Sequence, residues 1–252
     1  MDRLVVVSGA HGALGRAYVE YFSAQLHTRC ITLTRTGAGE NEIEIGDLLN
    51  AKSVADGVER ISLSEISSVV LIHPVGKFKF EETGEPEIDR DGDGIDDEVF
   101  VSNVATFEHI VKPLQTLIER SERRIPLTLC AFGSVSDAYD IKYWRSYSRS
   151  KRALRDTMHT LADQGAGFIN SIFIEVSTVN TEKERKLRPF ADNVYWLAPQ
   201  EIVARSVRRI EKARGWNKIS IYKPMPGFNT RYYSDLDSVR EKWSKEMGKE
   251  LC

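Results

Sequence analysis

Short runs of aliphatic and β-branched residues recur along the chain, separated by longer segments whose apolar positions fall every three or four residues. The short runs predict strands at residues 4–8, 30–34, 68–73, 127–132, 167–174 and 218–222, with a weaker one at 42–45. The longer segments predict helices at 15–24, 51–61, 99–120, 147–164 and 199–213. Leu4-Val5-Val6-Val7 and Val69-Val70-Leu71-Ile72 are apolar at successive positions, not alternate ones, so both faces of their sheet must be covered. Strand–helix alternation with right-handed crossovers then leaves one arrangement: an α/β, doubly wound parallel sheet with helices on both faces.

At 252 residues, with no internal repeat and no linker rich in Gly, Ser or Pro, the chain reads as one domain over residues 1–252. Lys and Arg number 35 against 37 Asp and Glu, a net charge of −2, which gives no electrostatic reason to bind nucleic acid. The basic stretches at 205–209 and 120–124 read as solvated helix faces. No apolar run is long enough to span a membrane, and residues 4–7 lead straight into a glycine turn, as a first strand does and a signal peptide does not. Cys30, Cys130 and Cys252 have no metal-like or redox-like spacing. The first two fall on strands and are expected to be buried, and the sparse set fits a reducing, cytoplasmic compartment.

The first strand runs into Ser8-Gly9-Ala10-His11-Gly12-Ala13-Leu14-Gly15, and a helix follows. Glycines there let the backbone approach a pyrophosphate, while the helix start supplies amide donors and the positive end of a dipole. The spacing is Gly-x-x-Gly-x-x-Gly, so the generic dinucleotide fingerprint is not met, yet the setting favours a phosphate lined by Gly9, His11, Gly12, Leu14 and Gly15. Strand two ends in Thr34-Arg35-Thr36. With no acid at this tip to hold a ribose 2′-hydroxyl, Arg35, assisted by Arg16, points to a 2′-phosphate and so to NADP(H) over NAD. Asp47-Leu48 falls at the end of strand three, where the aspartate either accepts from an adenine amino group or caps the next helix.

Tyr147 and Lys151 are four apart, on one face of a predicted helix, with Ser134 thirteen residues upstream. A cation beside a phenol favours the phenolate and brings it within reach of acid–base work near neutrality. With Asn103 on the preceding long helix, this set resembles the short-chain dehydrogenase/reductase family over nearly the whole chain. In that family the nucleotide turn reads Thr-Gly-x-x-x-Gly-x-Gly. Gly9 and Gly15 match, Ser8 stands for the threonine, Ala13 for the middle glycine, and Gly12 comes one place early. Of the family's Asn-Asn-Ala-Gly, here His73-Pro74-Val75-Gly76, only the glycine is kept. The resemblance implies a Rossmann fold and an NADP(H)-dependent oxidoreductase acting on a small or medium carbonyl or alcohol. Tyr147 would be the general acid/base, Lys151 would hold the nicotinamide ribose and lower the tyrosine's pKa, Ser134 would bind the reacting oxygen, and Asn103 would hold a water. The family's Pro-Gly turn is replaced by Glu175-Val176-Ser177-Thr178, where Val176 and Thr178 would face the nicotinamide amide. The resemblance also implies pairing of the long helices in a homo-oligomer.

Tyr139, Tyr143 and Trp144 would wall the substrate pocket or pack on neighbouring helices. The charged segment 177–197 corresponds to the family's substrate lid, with Phe190, Tyr195 and Trp196 as its inner face. An acidic insertion at 85–98 carries Asp89-Arg90-Asp91-Gly92-Asp93-Gly94-Ile95-Asp96-Asp97, which resembles calcium loops of the EF-hand and thrombospondin type 3 kinds. Asp89, Asp91, Asp93, the Ile95 carbonyl and Asp97 would be the oxygen ligands, although Phe100 stands where an EF-hand has its glutamate. The other reading is a solvated loop capping the next helix. Two further functions stay open: a non-catalytic NADP sensor, and a calcium-responsive binding module on the same fold.

Overall fold

β1 (Asp2–Ser8) carries Leu4, Val5, Val6 and Val7, all fully buried. Successive strand residues point to opposite faces, so Leu4 and Val6 enter one core and Val5 and Val7 another. In the computed structural model, which describes residues 2–37, 39–121, 123–165, 167–223 and 233–249, β1 lies inside a seven-stranded parallel sheet. The other strands are β2 (Thr28–Thr34), β3 (Glu42–Glu44), β4 (Ile66–His73), β5 (Leu127–Ser134), β6 (Ile169–Val176) and β7 (Trp216–Ile221), in the order β3-β2-β1-β4-β5-β6-β7. The helices in chain order are α1 (Ala13–Ser23), α2 (Ala51–Val58), α3 (Asp97–Phe100), α4 (Thr106–Arg120), α5 (Arg145–Gln164), α6 (Glu182–Leu187), α7 (Pro199–Glu211) and α8 (Leu236–Met247).

Helices cover both faces. Val54 and Val58 of α2, Phe107, Ile110 and Leu114 of α4, and Leu154 and Met158 of α5 share the core of Leu4 and Val6. Tyr18 and Phe22 of α1 and Ile202, Val203 and Ile210 of α7 share the core of Val5 and Val7. The doubly wound parallel sheet is therefore as expected. From β1 the chain steps outward to β2 and β3, then returns to place β4 on the other side of β1. The loops leaving β1 and β4 part in opposite directions, which opens a crevice at the carboxyl ends of the strands. Cys30 and Cys130 are buried, and burial holds both thiols above their ordinary pKa. Cys252 lies outside the described residues.

The differences are local. The predicted helix at 99–120 begins two residues earlier, as α3, and passes through a π-helical turn at Val101–Ala105 before α4. α6 and α8 are additions. α8 buries Val239 at one turn and packs Trp243 at the next, and its other exposed positions are mostly charged, so its apolar periodicity is faint. The stretch 120–124 is not wholly solvated: Arg123 reaches inward to the carbonyls of Leu63 and Ile66 at 3.1 and 2.7 Å. Among the described residues no helix is long and apolar enough to cross a membrane.

Candidate active site

The turn after β1 is built around two contacts that only glycine permits. Gly9 has φ +59°, in the left-handed region. A Cβ on Gly15 would overlap the Gly9 carbonyl oxygen and stand 2.9 Å from its carbon and 3.0 Å from the Ala10 Cα. The Gly12 amide donates to the Gly9 carbonyl at 2.9 Å, closing the turn. No side chain caps α1, so its first-turn amides open toward the crevice at the positive end of the helix dipole. His11 and Gly12 are exposed there and Leu14 is half-buried. Arg16 folds back onto the His11 carbonyl at 3.2 Å. Arg35 is exposed at the tip of β2 and makes no ion pair among the described residues. Asp47 corrects one alternative: Asn50 caps α2 through Ser53 N at 3.1 Å, while Asp47 accepts from Leu49 N at 3.0 Å and merely shapes the bend. Leu48 is half-buried, with its carbonyl 2.9 Å from His109 Nδ1.

The turn after β4 faces this one. Val75 Cγ2 would lie 2.8 Å from a Cβ on Gly9, so the two turns meet. His73 is fully buried, with Nδ1 2.8 Å from Ser8 Oγ and Nε2 3.3 Å from Thr106 Oγ1. The Thr106 hydroxyl donates to the Ser102 carbonyl at 2.9 Å, so it accepts from His73, and the Nε2–H tautomer satisfies both ends of the ring. Burial, and then the Lys151 charge, push the imidazole pKa down to about 3. His73 is thus a neutral brace tying β1, β4 and α4 together.

Asn103 and Lys151 meet at Gly76 in this turn, Lys151 lies beside the Tyr147 ring, and Ser134 stands at the end of β5. Asn103 sits in the π-helical turn, fully buried, where a widened helix is a common mark of a functional site. Its Oδ1 accepts from Lys77 N, and its Nδ2 donates to Lys77 O and Ser150 Oγ, all at 2.9 Å. Gly76 explains why that turn keeps its glycine: a Cβ there would stand 2.5 Å from Asn103 Oδ1 and 2.8 Å from Lys151 Nζ. Ser134 ends β5, accepts from Ser136 N at 3.2 Å and lies 2.8 Å from Ser136 Oγ. The helix bearing Tyr147 and Lys151 has no local cap. Glu81, sixty-odd residues earlier and buried, accepts from the amides of Arg145 at 2.8 Å and Ser146 at 3.2 Å instead. A cap of this kind stabilises by about 0.5–2 kcal/mol and fixes where the helix begins, hence where Tyr147 points.

The electrostatics differ from expectation at one point. Lys151 Nζ lies 5.7 Å from the Tyr147 ring centroid, yet the phenol is held above its ordinary range. Burial is the largest cause, followed by the negative charges of Glu184 and Asp137. Burial and these two negative charges outweigh any lowering by Lys151. Lys151 is itself 4% exposed, and burial brings its pKa down to about 8, with Asp137 pushing it back up. Neither Tyr147 Oη nor Lys151 Nζ is engaged in a hydrogen bond or ion pair among the described residues.

Above these groups sits an aromatic roof that sequence patterns alone do not reveal. Phe78 meets Tyr147 edge-on at 5.1 Å and stacks on Trp243 of α8 at 5.3 Å; Trp243 lies 4.9 Å from Trp144. Tyr143 stacks on Phe80 at 5.8 Å and Tyr139 on Tyr233 at 4.6 Å, so the three predicted wall residues join this cluster. The segment 177–197 is not loosely packed: Arg188, 5% exposed, reaches Glu184 at 2.7 Å, Glu246 at 2.9 Å and Thr178 Oγ1 at 3.0 Å. Its guanidinium lies over Trp243 and Trp196, 4.2 and 4.9 Å from the ring centroids. Trp196 faces inward as expected, Tyr195 is half-buried, and Phe190 is 72% exposed and so does not line the site. Val176 and Thr178 are both half-buried at the end of β6.

The acidic loop behaves partly as each reading anticipates. Asp89, Asp91 and Asp97 bring carboxylate oxygens within 4.8 Å of one another, whereas Asp93 turns to the Ile95 amide at 2.8 Å and leaves the group. Asp96, fully buried, caps α3 through Glu98 N and Val99 N at 3.1 and 3.2 Å and pairs with Lys79 at 2.9 Å. The Asp96 amide donates to Ser146 Oγ at 2.8 Å, which anchors the loop one residue before Tyr147.

No family profile matches the sequence, and no curated protein matches it significantly. Solved structures do match the fold. The ligand-free aldohexose dehydrogenase of Thermoplasma acidophilum superposes with a TM-score of 0.70 at 20% identity, covering 90% of this chain and 97% of that one. A short chain dehydrogenase from Burkholderia cenocepacia J2315 in complex with NADP gives 0.69 at 16% identity, covering 96% and 97%. A 4-hydroxyisoleucine dehydrogenase complexed with NADH gives 0.66 at 20% identity, covering 87% and 97%. The chain has the fold of the short-chain dehydrogenases.

Proposed function

We propose that this protein is an NADP(H)-dependent oxidoreductase of the short-chain dehydrogenase/reductase kind, acting on a small or medium carbonyl or alcohol. The observation that carries this reading is that Asn103, Lys151 and Tyr147 lie together at the Gly76 turn, with the phenol and the ammonium engaged in no hydrogen bond or ion pair among the described residues. The crevice fits a dinucleotide: the glycine turn leaves no room for side chains, the first-turn amides of α1 are uncapped, and Arg35 and Arg16 stand exposed nearby. Gly9, His11, Gly12, Leu14 and Gly15 would hold the pyrophosphate, Arg35 the 2′-phosphate, Asp47 and Leu48 the adenine side, and Val176 and Thr178 the nicotinamide amide. A bound NADP(H) would supply or accept the hydride.

This chain's residues handle the proton. The Tyr147 hydroxyl protonates the carbonyl oxygen in reduction and recovers the proton in oxidation. Burial keeps the phenol protonated at neutral pH but makes it a weaker acid, so the cation beside it matters as the proton leaves. With the Ser136 amide and the Ser136 hydroxyl both donating to it, Ser134 has its own hydroxyl hydrogen left for the reacting oxygen, where charge develops. Lys151 holds the ribose hydroxyls, and its cation favours the phenolate left behind. Phe78, Trp144 and Trp243 keep water from the phenol and suit an aromatic or cyclic substrate.

The test is oxidation of NADPH and of NADH against a panel of aromatic and aliphatic carbonyls. NADPH is expected to be preferred, and Arg35→Asp to reverse the preference by removing a charge-assisted bond of about 1.5–3 kcal/mol, about tenfold or more in affinity. Failure of either nucleotide to bind by calorimetry would sink the reading. In the same reading the acidic loop is structural. A cation shared by Asp89, Asp91 and Asp97 would brace the start of α5, and calcium is expected to raise the melting temperature over that in chelator. Equal melting in the two would leave the loop as a cap for α3 only.

A further inference from the structure

Arg188 follows α6 in the middle of the segment 177–197 and is almost wholly buried. A guanidinium out of water is costly unless its charge and its donors are matched. Here three different nitrogens reach three different segments. Nε donates to Glu184 of α6 at 2.7 Å, Nη1 to Glu246 of α8 at 2.9 Å, and Nη2 to the Thr178 hydroxyl oxygen at 3.0 Å. Lys242 comes within 3.9 Å of Glu246, so two cations face two carboxylates. The rings of Trp243 and Trp196 complete the surroundings.

These partners lead to the site from two sides. Val176, two residues before Thr178, is paired in register with Ser134. Thr178 therefore stands just beyond the serine, at the carboxyl edge of the sheet. Leu197 N donates to Thr178 O at 2.9 Å and Asn180 N to Leu197 O at 2.8 Å, which closes the base of the segment and fixes the Thr178 backbone. A guanidinium has no acceptor, so the Thr178 oxygen accepts from it and keeps its own hydrogen to donate elsewhere. On the other side, Trp243 stacks on Phe78 at 5.3 Å, and Phe78 meets the Tyr147 ring at 5.1 Å. The Phe190 amide adds a bond to the Glu246 carbonyl at 3.0 Å.

We infer that Arg188 is a positioning residue: its fork presents the Thr178 hydroxyl hydrogen to the nicotinamide amide and fastens α8, with Trp243, to the same loop. One side chain thus sets both the nicotinamide end of the cofactor site and the roof over Tyr147. A lysine would keep the charge but supply one nitrogen where three are used. The nicotinamide half of the inference rests on the dehydrogenase reading; the fastening of α8 does not.

The test compares two ligands by calorimetry: NADPH, and adenosine 2′,5′-bisphosphate, which has the adenosine half and no nicotinamide. In Arg188→Lys, NADPH affinity is expected to fall by about three- to tenfold, the worth of one hydrogen bond, with the bisphosphate unchanged. Thr178→Val should give the same pattern, and the double variant should lose no more than either alone. Amide exchange across α8 should quicken by about tenfold in Arg188→Lys, and by less in Thr178→Val, while β1 and β4 keep their protection. An arginine that merely holds the fold together would weaken both ligands alike and add to Thr178→Val. Either result overturns the inference, as does unchanged NADPH binding in a folded Arg188→Lys protein. Should the lysine variant not fold, Thr178→Val decides. Exchange in α8 must then rise, because Arg188 has lost one hold, and no rise overturns the inference. A parent protein that binds neither ligand defeats the dehydrogenase reading instead, and exchange in α8 still judges the fastening.

Discussion

Replacing Tyr147 by Phe is expected to lower carbonyl reduction by about 10²- to 10⁴-fold, the usual contribution of a positioned general acid. The variant removes one oxygen and keeps the ring, so the edge-on contact with Phe78 and the packing of Trp144 and Trp243 should persist. Melting temperature and NADPH affinity should therefore hardly change. The loss should fall on kcat, with KM little altered, because the phenol's bond to the substrate strengthens as the oxygen gains charge. Steady-state kinetics beside a nucleotide titration separate these effects. Undiminished turnover with intact cofactor binding would exclude Tyr147 as the acid, whereas nucleotide binding with no turnover in the parent protein would favour a nucleotide sensor.

The second large effect is expected at Gly15. An added methyl would overlap the Gly9 carbonyl oxygen and press on the Gly9 carbon and the Ala10 Cα, all backbone atoms that cannot rotate away. Gly15→Ala should destabilise the fold by about 1–3 kcal/mol, as overpacking does. It should also weaken NADPH binding by about tenfold or more, because parting the turn from α1 displaces amides that donate to the pyrophosphate. Gly12→Ala is the control. A Cβ there meets only the Gly9 oxygen, at 3.2 Å, and its backbone is ordinary for any residue. Chemical denaturation and calorimetry should rank Gly15→Ala well below Gly12→Ala, and equal losses would refute the steric account.

Much of the site is legible in the chain because its parts are local. Tyr147 and Lys151 share a helix face by spacing alone, and Gly9 to Gly15 form one continuous turn between adjacent elements. Where spacing is ambiguous, the sequence misleads. Asp47 looks like a helix cap, yet Asn50, three residues later, takes that place. Alternating aspartates at 89–97 suggest four carboxylates for one ion, yet an Asx-type bond turns Asp93 away. Phe190 lies in an aromatic segment but is exposed, while Arg188 lies over the rings of Trp196 and Trp243. None of these outcomes follows from hydropathy, since each turns on a single side-chain rotation.

By itself the sequence determined the doubly wound parallel sheet, the glycine turn between β1 and α1, and the placing of Tyr147 and Lys151 on one helix face. Strand and helix periods are properties of consecutive residues, and a parallel sheet delivers every strand's end to one edge. Only the tertiary structure decided how those groups are tuned. Glu81 caps α5, Gly76 makes room for Asn103 and Lys151, and Asp137 meets Glu175 above Gly133 through loops distant in sequence. The acidity of Tyr147 is likewise a sum of burial and of the charges of Glu184 and Asp137 on two other segments. A field of that kind depends on distances in space, which the order of residues along the chain does not state.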